Sequence, residues 1–129
     1  MLSRAYQYCN MIMLYLALAA SLNVLEAGGA THIVGGSDGW DSFSNSLNWS
    51  REKEFHVGDV LVFNYKNDAH NVMQVNSTAY RKCIKNPYTR LFNSGHDSLV
   101  LSEVGKFWYI CAVADHCENG QKLAIKVVL

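Results

Sequence analysis

The sequence predicts an all-β domain, a Greek-key β-sandwich of about seven short strands with one or two short helices. Short apolar and β-branched runs recur along the chain, and glycine, asparagine and proline turn signals separate them. No internal repeat or linker interrupts the sequence after residue 30. With 129 residues, half of them hydrophobic and 17% charged, the chain is long and apolar enough to form one core.

The strands are predicted one by one from these runs. The first covers residues 31–34 and ends at Gly35-Gly36. The next follows the Gly58-Asp59 turn and is apolar, β-branched and too short for a helix, which is typical of a buried strand. One short helix is predicted over 77–83, where Ser and Thr precede Ala, Tyr, Arg and Lys. The predicted strands after the first cover residues 60–65, 71–75, 98–101, 106–111 and 122–129.

Residues 1–30 are predicted to be a secretory signal peptide, and residues 31–129 the mature domain. Arg4 is the only charge before a long apolar run over 11–22, and a zone of small residues follows that run. The run is short for a membrane helix, which needs about 20 apolar residues. An uncleaved signal anchor is the alternative interpretation.

The cleavage position has two candidates. Cleavage after Ala30 places small residues, Gly28 and Ala30, at both recognition positions. Cleavage after Ala27 competes with it, although Leu25 fits the outer position poorly.

Charge and the C-terminal sequence limit the partners. Eleven basic residues balance eleven acidic ones and are scattered, so we expect no nucleic-acid partner. The chain ends on an apolar strand with no polar spacer and no hydrophobic tail beyond it, so no lipid-anchor signal is expected. The mature protein is predicted to be a soluble, secreted monomer without stable membrane insertion.

The predicted mature domain has an odd number of cysteines. Cys9 lies in the predicted signal peptide, so the mature domain keeps Cys83, Cys111 and Cys117. An oxidising compartment favours disulfides, and three cysteines form one bridge and leave one thiol over. Metal ligation would explain that thiol, and so would pairing with another chain.

One segment carries a pattern with chemical meaning. Cys111, His116 and Gln121 are spaced five residues apart in a predicted loop between two strands, and His70 stands at the start of a third. Two imidazoles, one thiolate and a weak axial ligand make the blue-copper environment. The sequence therefore predicts a copper site made by these four residues.

Neighbouring residues suggest how the thiols divide. In an extended chain, His116 and Cys117 point to opposite faces, so a metal-facing His116 leaves Cys117 free to bridge Cys83. Cys111 is then the ligand. A bridge from Cys111 to Cys83 or Cys117, with a different free thiol, remains the alternative.

Taken together, these motifs resemble the phytocyanins, plant members of the cupredoxin family. The resemblance implies a cupredoxin-like β-sandwich with one type 1 copper that carries single electrons. It also implies the ligands His70, Cys111, His116 and Gln121, and a Cys83–Cys117 disulfide. The matching segments are residues 32–36 with Gly39-Trp40, 55–65, 70–72, 80–83, 94–98 and 107–123.

Details of the match refine this prediction. Gln121 resembles the stellacyanin type rather than the common methionine, and its harder amide oxygen implies a low reduction potential. Ala114-Asp115 departs from the Pro-Gly pair that is common before the second histidine, and His96 replaces a small polar residue. With the predicted signal peptide, we expect the protein outside the cell, in the apoplast or cell wall.

Other functions remain in competition. A zinc module would need more strong ligands than one spare thiolate supplies. An enzyme with Cys111 as nucleophile and His116 as base would need an orienting group and an oxyanion hole. The sequence has no motif for either, so we expect a protein that is not an enzyme. An extracellular cell-wall or signalling module, in which copper redox is incidental, is the main alternative. Protein or small-molecule redox partners are expected, of unknown identity.

Several further residues carry smaller predictions. Asn71 is a candidate for hydrogen bonds that stiffen the site, or else a plain turn residue. His32, His56 and His96 are expected to have no metal role. Two sequons, at Asn48 and Asn76, are candidate glycosylation sites, with Asn76 preferred because Trp49 is expected to be buried.

Overall fold

The computed structural model describes residues 3–21 and 28–129 of the chain. Its domain is a sandwich of two sheets, which confirms the predicted fold class. The strands are β1 (Thr31–Ile33), β2 (Phe55–His56), β3 (Val60–Asn64), β4 (Val72–Val75), β5 (Arg90–Phe92), β6 (His96–Val100), β7 (Gly105–Ile110) and β8 (Lys122–Val128). The helices are α1 (Arg4–Ser21), α2 (Ser46–Arg51) and α3 (Ser77–Lys82), with a 3-10 turn at Gly36–Asp38.

The two sheets join strands that are distant in the sequence. One has the order β1-β3-β6 and the other the order β2-β8-β7-β4-β5. β1 runs parallel to β3 and β2 parallel to β8, while the remaining neighbours are antiparallel. As a result β4 and β7 lie side by side, and the chain just before β4 meets the chain just after β7.

The five-stranded sheet is covered on both faces. Alternate residues of β8, Leu123, Ile125 and Val127, point into the main core between the sheets, as strand geometry requires. Met73 and Ile110, from β4 and β7, belong to a second cluster on the face that α3 covers. This double burial holds the strands beside the candidate site on two sides.

Local patterns predicted six of these strands and α3. The structure adds β2, β5 and α2, which the sequence analysis left out. β2 has two residues and β5 three, and both are held by pairing with β8 and β4 rather than by any local pattern. Strands this short show no readable alternation. β1 is equally short, and the Gly35-Gly36 turn signal that follows it is what made it predictable.

The N-terminal segment contains α1, and no helix within residues 3–21 and 28–129 is long and apolar enough to cross a membrane. Leu25 and Ala27, on which the second candidate cleavage position depends, lie outside the described residues.

Asp59 ties the first strand to the sandwich. It is 4% exposed, and its carboxylate accepts hydrogen bonds from Ala30 N–H at 2.8 Å and His56 N–H at 2.9 Å. His32 Nε2 lies 2.8 Å from the same carboxylate. Burial acts to raise the pKa of Asp59, but the hydrogen bonds outweigh it and the pKa is lowered.

We therefore expect Asp59→Asn to lower the free energy of unfolding at pH 7 by about 1–3 kcal/mol, because the amide cannot accept every one of these bonds. A carboxyl pKa that is lowered in the folded state contributes stability above about pH 4, and that stability is lost as pH falls through the lowered pKa. The difference between the variant and the wild type should thus shrink in acid. Urea unfolding at several pH values measures it. Exposed Asp38→Asn is the matched control. Equal losses of stability in the two variants would contradict the stabilising role of the Asp59 hydrogen bonds.

Candidate metal centre

Three metal-binding side chains converge at one end of the sandwich. His70 Nδ1 lies 3.2 Å from His116 Nδ1, and Cys111 Sγ lies 3.9 Å from the first nitrogen and 3.5 Å from the second. A point in the plane of this triangle is about 2.1 Å from all three atoms, close to the ~2.0–2.3 Å at which imidazole nitrogen and thiolate sulfur bind a first-row metal ion. Three of the four side chains that the sequence predicts as copper ligands therefore share one focus.

Strand pairing explains why they meet. Cys111 directly follows β7 and His70 shortly precedes β4, and Met73 pairs with Ile110 in the antiparallel register. The loop after Cys111 closes on itself, because Cys111 N–H donates to the Gln121 carbonyl oxygen at 3.0 Å and Gln121 N–H donates to the His116 carbonyl oxygen at 2.9 Å. The loop thus brings residues from both of its ends, and from its middle, to one place.

The conformation of this loop differs from the extended chain assumed in the sequence analysis. Residues 113–120 form a bend and successive turns, and Ala114 has a φ of 44°. The turns nevertheless separate the adjacent side chains. His116 faces Cys111, whereas Cys117 is fully buried in the second cluster and forms a disulfide with Cys83 at the end of α3.

Gln121 lies at the same place with an unusual amide. The residue is fully buried, and its Nε2 donates to the Trp40 carbonyl oxygen at 3.3 Å. Its Oε1 has no hydrogen-bond partner among residues 3–21 and 28–129. A buried carbonyl oxygen without a partner costs free energy unless something else binds it. The Gln121 side chain also lies close enough to His70 to raise the pKa of its imidazole, against the larger lowering effects of burial and His116.

The surroundings of His70 and Cys111 favour the neutral form of each side chain. Burial and the neighbouring His116 lower the pKa of His70, so the ring is ready to bind a cation. Burial raises the pKa of the Cys111 thiol, against hydrogen bonds from the backbone of Asn71 and Val113. Metal binding must therefore displace the thiol proton, and the two amides remain to stabilise the sulfur as a thiolate.

Asn71 and Trp40 join the segments that carry the ligands through hydrogen bonds. Asn71 Oδ1 accepts a hydrogen bond from Ala112 N–H at 2.8 Å, which joins the residue after His70 to the residue after Cys111. Trp40 Nε1 donates to the Asn71 carbonyl oxygen at 2.8 Å, and the Trp40 carbonyl accepts from Gln121. This role of Asn71 was predicted from the sequence, whereas none was predicted for Trp40. Its only signal was the position of a tryptophan after a glycine turn.

The other histidines are engaged elsewhere. His32 and His56 both lie at Asp59, and His96 contacts the side chain of Asn64. The aromatic segment over 107–109 packs in the two hydrophobic clusters.

Comparisons with known proteins place this geometry in context. A family model described as a plastocyanin-like domain matches residues 40–121, a range that contains all four predicted ligands. Blue copper protein 1a of Medicago truncatula is 39% identical over 118 residues, which cover 91% of this chain and 73% of that protein. Stellacyanin of Toxicodendron vernicifluum is 37% identical over 103 residues, covering 76% of this chain and 96% of that protein.

Two solved structures superpose on most of this chain. Cucumber basic protein, a blue copper protein, superposes with a TM-score of 0.71 at 35% identity, over 77% of this chain and all of that one. Cucumber stellacyanin superposes with a TM-score of 0.69 at 34% identity, over 78% of this chain and 96% of that one.

Proposed function

The chain belongs to the plastocyanin-like family and, within it, to the phytocyanins, and on this premise we propose that it binds one type 1 copper ion and carries single electrons. His70, Cys111 and His116 are the proposed equatorial ligands, and Gln121 the proposed axial ligand. The observation that carries the proposal is the triangle of two ring nitrogens and one sulfur around a single focus.

The donor set fits copper better than other common metals. One soft thiolate and two imidazoles suit both oxidation states, and the unpartnered Gln121 Oε1 supplies a weak fourth donor. A bound copper ion would supply a one-electron couple between Cu(I) and Cu(II). Zinc prefers four strong ligands, and an amide oxygen is a poor one for it.

The protein's own contribution is rigidity and exclusion of water. His70 and Cys111 are buried, and hydrogen bonds from the loop backbone, Asn71 and Trp40 hold their segments in place. A site that moves little between oxidation states reorganises little, and this favours rapid electron transfer. His116 is the partly exposed member of the set, so the His116 edge is the proposed point of electron entry and exit.

Optical and EPR spectra of the purified, oxidised mature domain test the proposal. We expect an intense blue colour and one copper ion per chain, because charge transfer from a thiolate to Cu(II) gives a strong visible band. A colourless protein that retains zinc would support the zinc module instead. A protein that binds no metal would leave the extracellular interaction module as the better description.

Asn71→Ala tests the support of the ligands. The variant leaves Ala112 N–H without its acceptor, and we expect it to weaken copper binding by about 10–100-fold, as loss of a hydrogen bond behind a metal ligand commonly does. Competition with a copper chelator measures the affinity. Asn119→Ala removes an exposed amide from the ligand loop and is the matched control. Equal affinities in the two variants would contradict a supporting role for Asn71.

We further propose that the protein is secreted, with residues 31–129 as the core of the mature domain and a Cys83–Cys117 disulfide. Asn76 is the proposed glycosylation site, with Asn48 second. Asn76 is exposed and caps α3 through its Oδ1, which accepts from Ala79 N–H at 2.9 Å and leaves the amide nitrogen free for a sugar. Non-reducing peptide mapping and a mass shift on enzymatic deglycosylation test the two modifications.

The redox partners are proposed to be extracellular proteins or small molecules that approach the partly exposed His116 edge, and the protein is proposed to act as a monomer. Analytical ultracentrifugation of the copper-loaded protein measures its oligomeric state.

A further inference from the structure

Ala30 belongs to the folded domain. Its carbonyl oxygen accepts a hydrogen bond from Val60 N–H at 2.9 Å, at the start of the β1–β3 pairing, and its own N–H donates to Asp59 Oδ1 at 2.8 Å. A chain that began at Thr31 would lose both bonds. Cleavage after Ala30, which the sequence pattern alone permits, would therefore remove a residue that the sheet uses.

Gly28 and Gly29 differ from Ala30 in this respect. Both are exposed, and the hydrogen bonds described around β1 involve Ala30 but neither glycine. A Cβ added at Gly29 would lie 1.9 Å from the Gly58 carbonyl oxygen, so no larger residue fits there. Removing the chain up to Gly29 would thus sacrifice no described hydrogen bond of the sandwich.

We propose that the leader is cleaved between Gly29 and Ala30, and that the new ammonium group of Ala30 forms an ion pair with Asp59. This inference rests on the secretion proposed above. A water molecule, used by a signal peptidase, adds across the Gly29–Ala30 amide and leaves a carboxylate on Gly29 and an ammonium on Ala30. Cleavage here also places small residues, Ala27 and Gly29, at both recognition positions.

Cleavage would change the charge at this contact. In the uncut chain a neutral N–H faces the buried Asp59 carboxylate, and after cleavage an ammonium stands at the same place. The uncut bond is already charge-assisted because its acceptor is ionised, and the ammonium adds a direct Coulombic attraction between opposite charges. The carboxylate also holds His32 Nε2 and His56 N–H. Removal of the leader would therefore strengthen the attachment of β1 rather than merely release the domain.

N-terminal sequencing of the protein secreted from cells that express the full chain tests the cleavage position. We expect the mature chain to begin Ala-Thr-His-Ile-Val. A start at Thr31 or Gly28 would overturn this inference while leaving secretion intact. Protein that stays in the cells with its leader uncut would instead contradict the proposed secretion as well.

The pKa of the Ala30 amino group tests the ion pair, followed through the NMR shift of the Ala30 methyl group. A free amino terminus titrates at about 7.7–8.0, and we expect a higher value in the wild type because Asp59 stabilises the ammonium. His32 and His56 also lie at this carboxylate, and Glu54 contacts His56, so the titrations of all three are recorded in parallel. Asp59→Asn should return the value to the usual range, and Asp38→Asn should leave it raised. A value in the usual range in the wild type would contradict the ion pair.

Discussion

Replacing Cys111 with serine is expected to abolish the intense visible band of the copper-loaded protein. The band requires a thiolate bound to Cu(II), and the Cys111 sulfur is the one thiol at the focus of the triangle. Serine is slightly smaller and leaves the buried position polar, so the domain should fold with a modest loss of stability. Absorption and EPR spectra at equal copper content measure the effect.

A matched control removes sulfur elsewhere. Cys83→Ser combined with Cys117→Ser eliminates the disulfide, which closes a loop with a sequence separation of 34 residues and is worth about 3–4 kcal/mol in the chain-entropy model. This control should be less stable but still blue wherever it is folded. An intense band that persists in folded, copper-bound Cys111→Ser would mean that another group is the ligand.

Replacing Gln121 with methionine is expected to raise the reduction potential while the protein stays blue. The thioether binds Cu(II) more weakly than an amide oxygen does, and Cu(I) loses less because the thiolate and two imidazoles satisfy it. Each tenfold change in the ratio of the two affinities is about 59 mV for a one-electron couple. We expect a positive shift of about 60–120 mV, which corresponds to a ratio change of roughly ten- to a hundredfold. Voltammetry measures it.

The same substitution has a structural cost that must be separated from its effect on the metal. The variant removes the bond from Gln121 Nε2 to the Trp40 carbonyl, worth about 0.5–1.5 kcal/mol. Gln74→Met, a partly buried substitution in β4, is the control for the amide-to-thioether change. A potential that is unchanged or lower in Gln121→Met, with an intact spectrum, would show that this side chain is not the axial ligand.

Most of the site follows from patterns that are local in the sequence. The five-residue spacing of Cys111, His116 and Gln121 lies within one loop, and its donor types alone indicate copper chemistry. The core strands are also locally encoded, because alternating burial requires an apolar residue at every second position, as in β8. For the same reason the sandwich could be predicted without knowledge of how the strands pair.

Long-range pairing decides the features that no local pattern encodes. β2 and β5 exist only because β8 and β4 offer them unpaired edges, and Trp40 becomes a support only because the fold places it between Asn71 and Gln121. The separation of His116 from Cys117 likewise comes from turns that the folded loop imposes, not from an extended chain. Residue types and spacing thus determine which atoms can bind a metal. Hydrogen bonds and packing between distant segments determine where those atoms stand, since such contacts form only when the chain has folded.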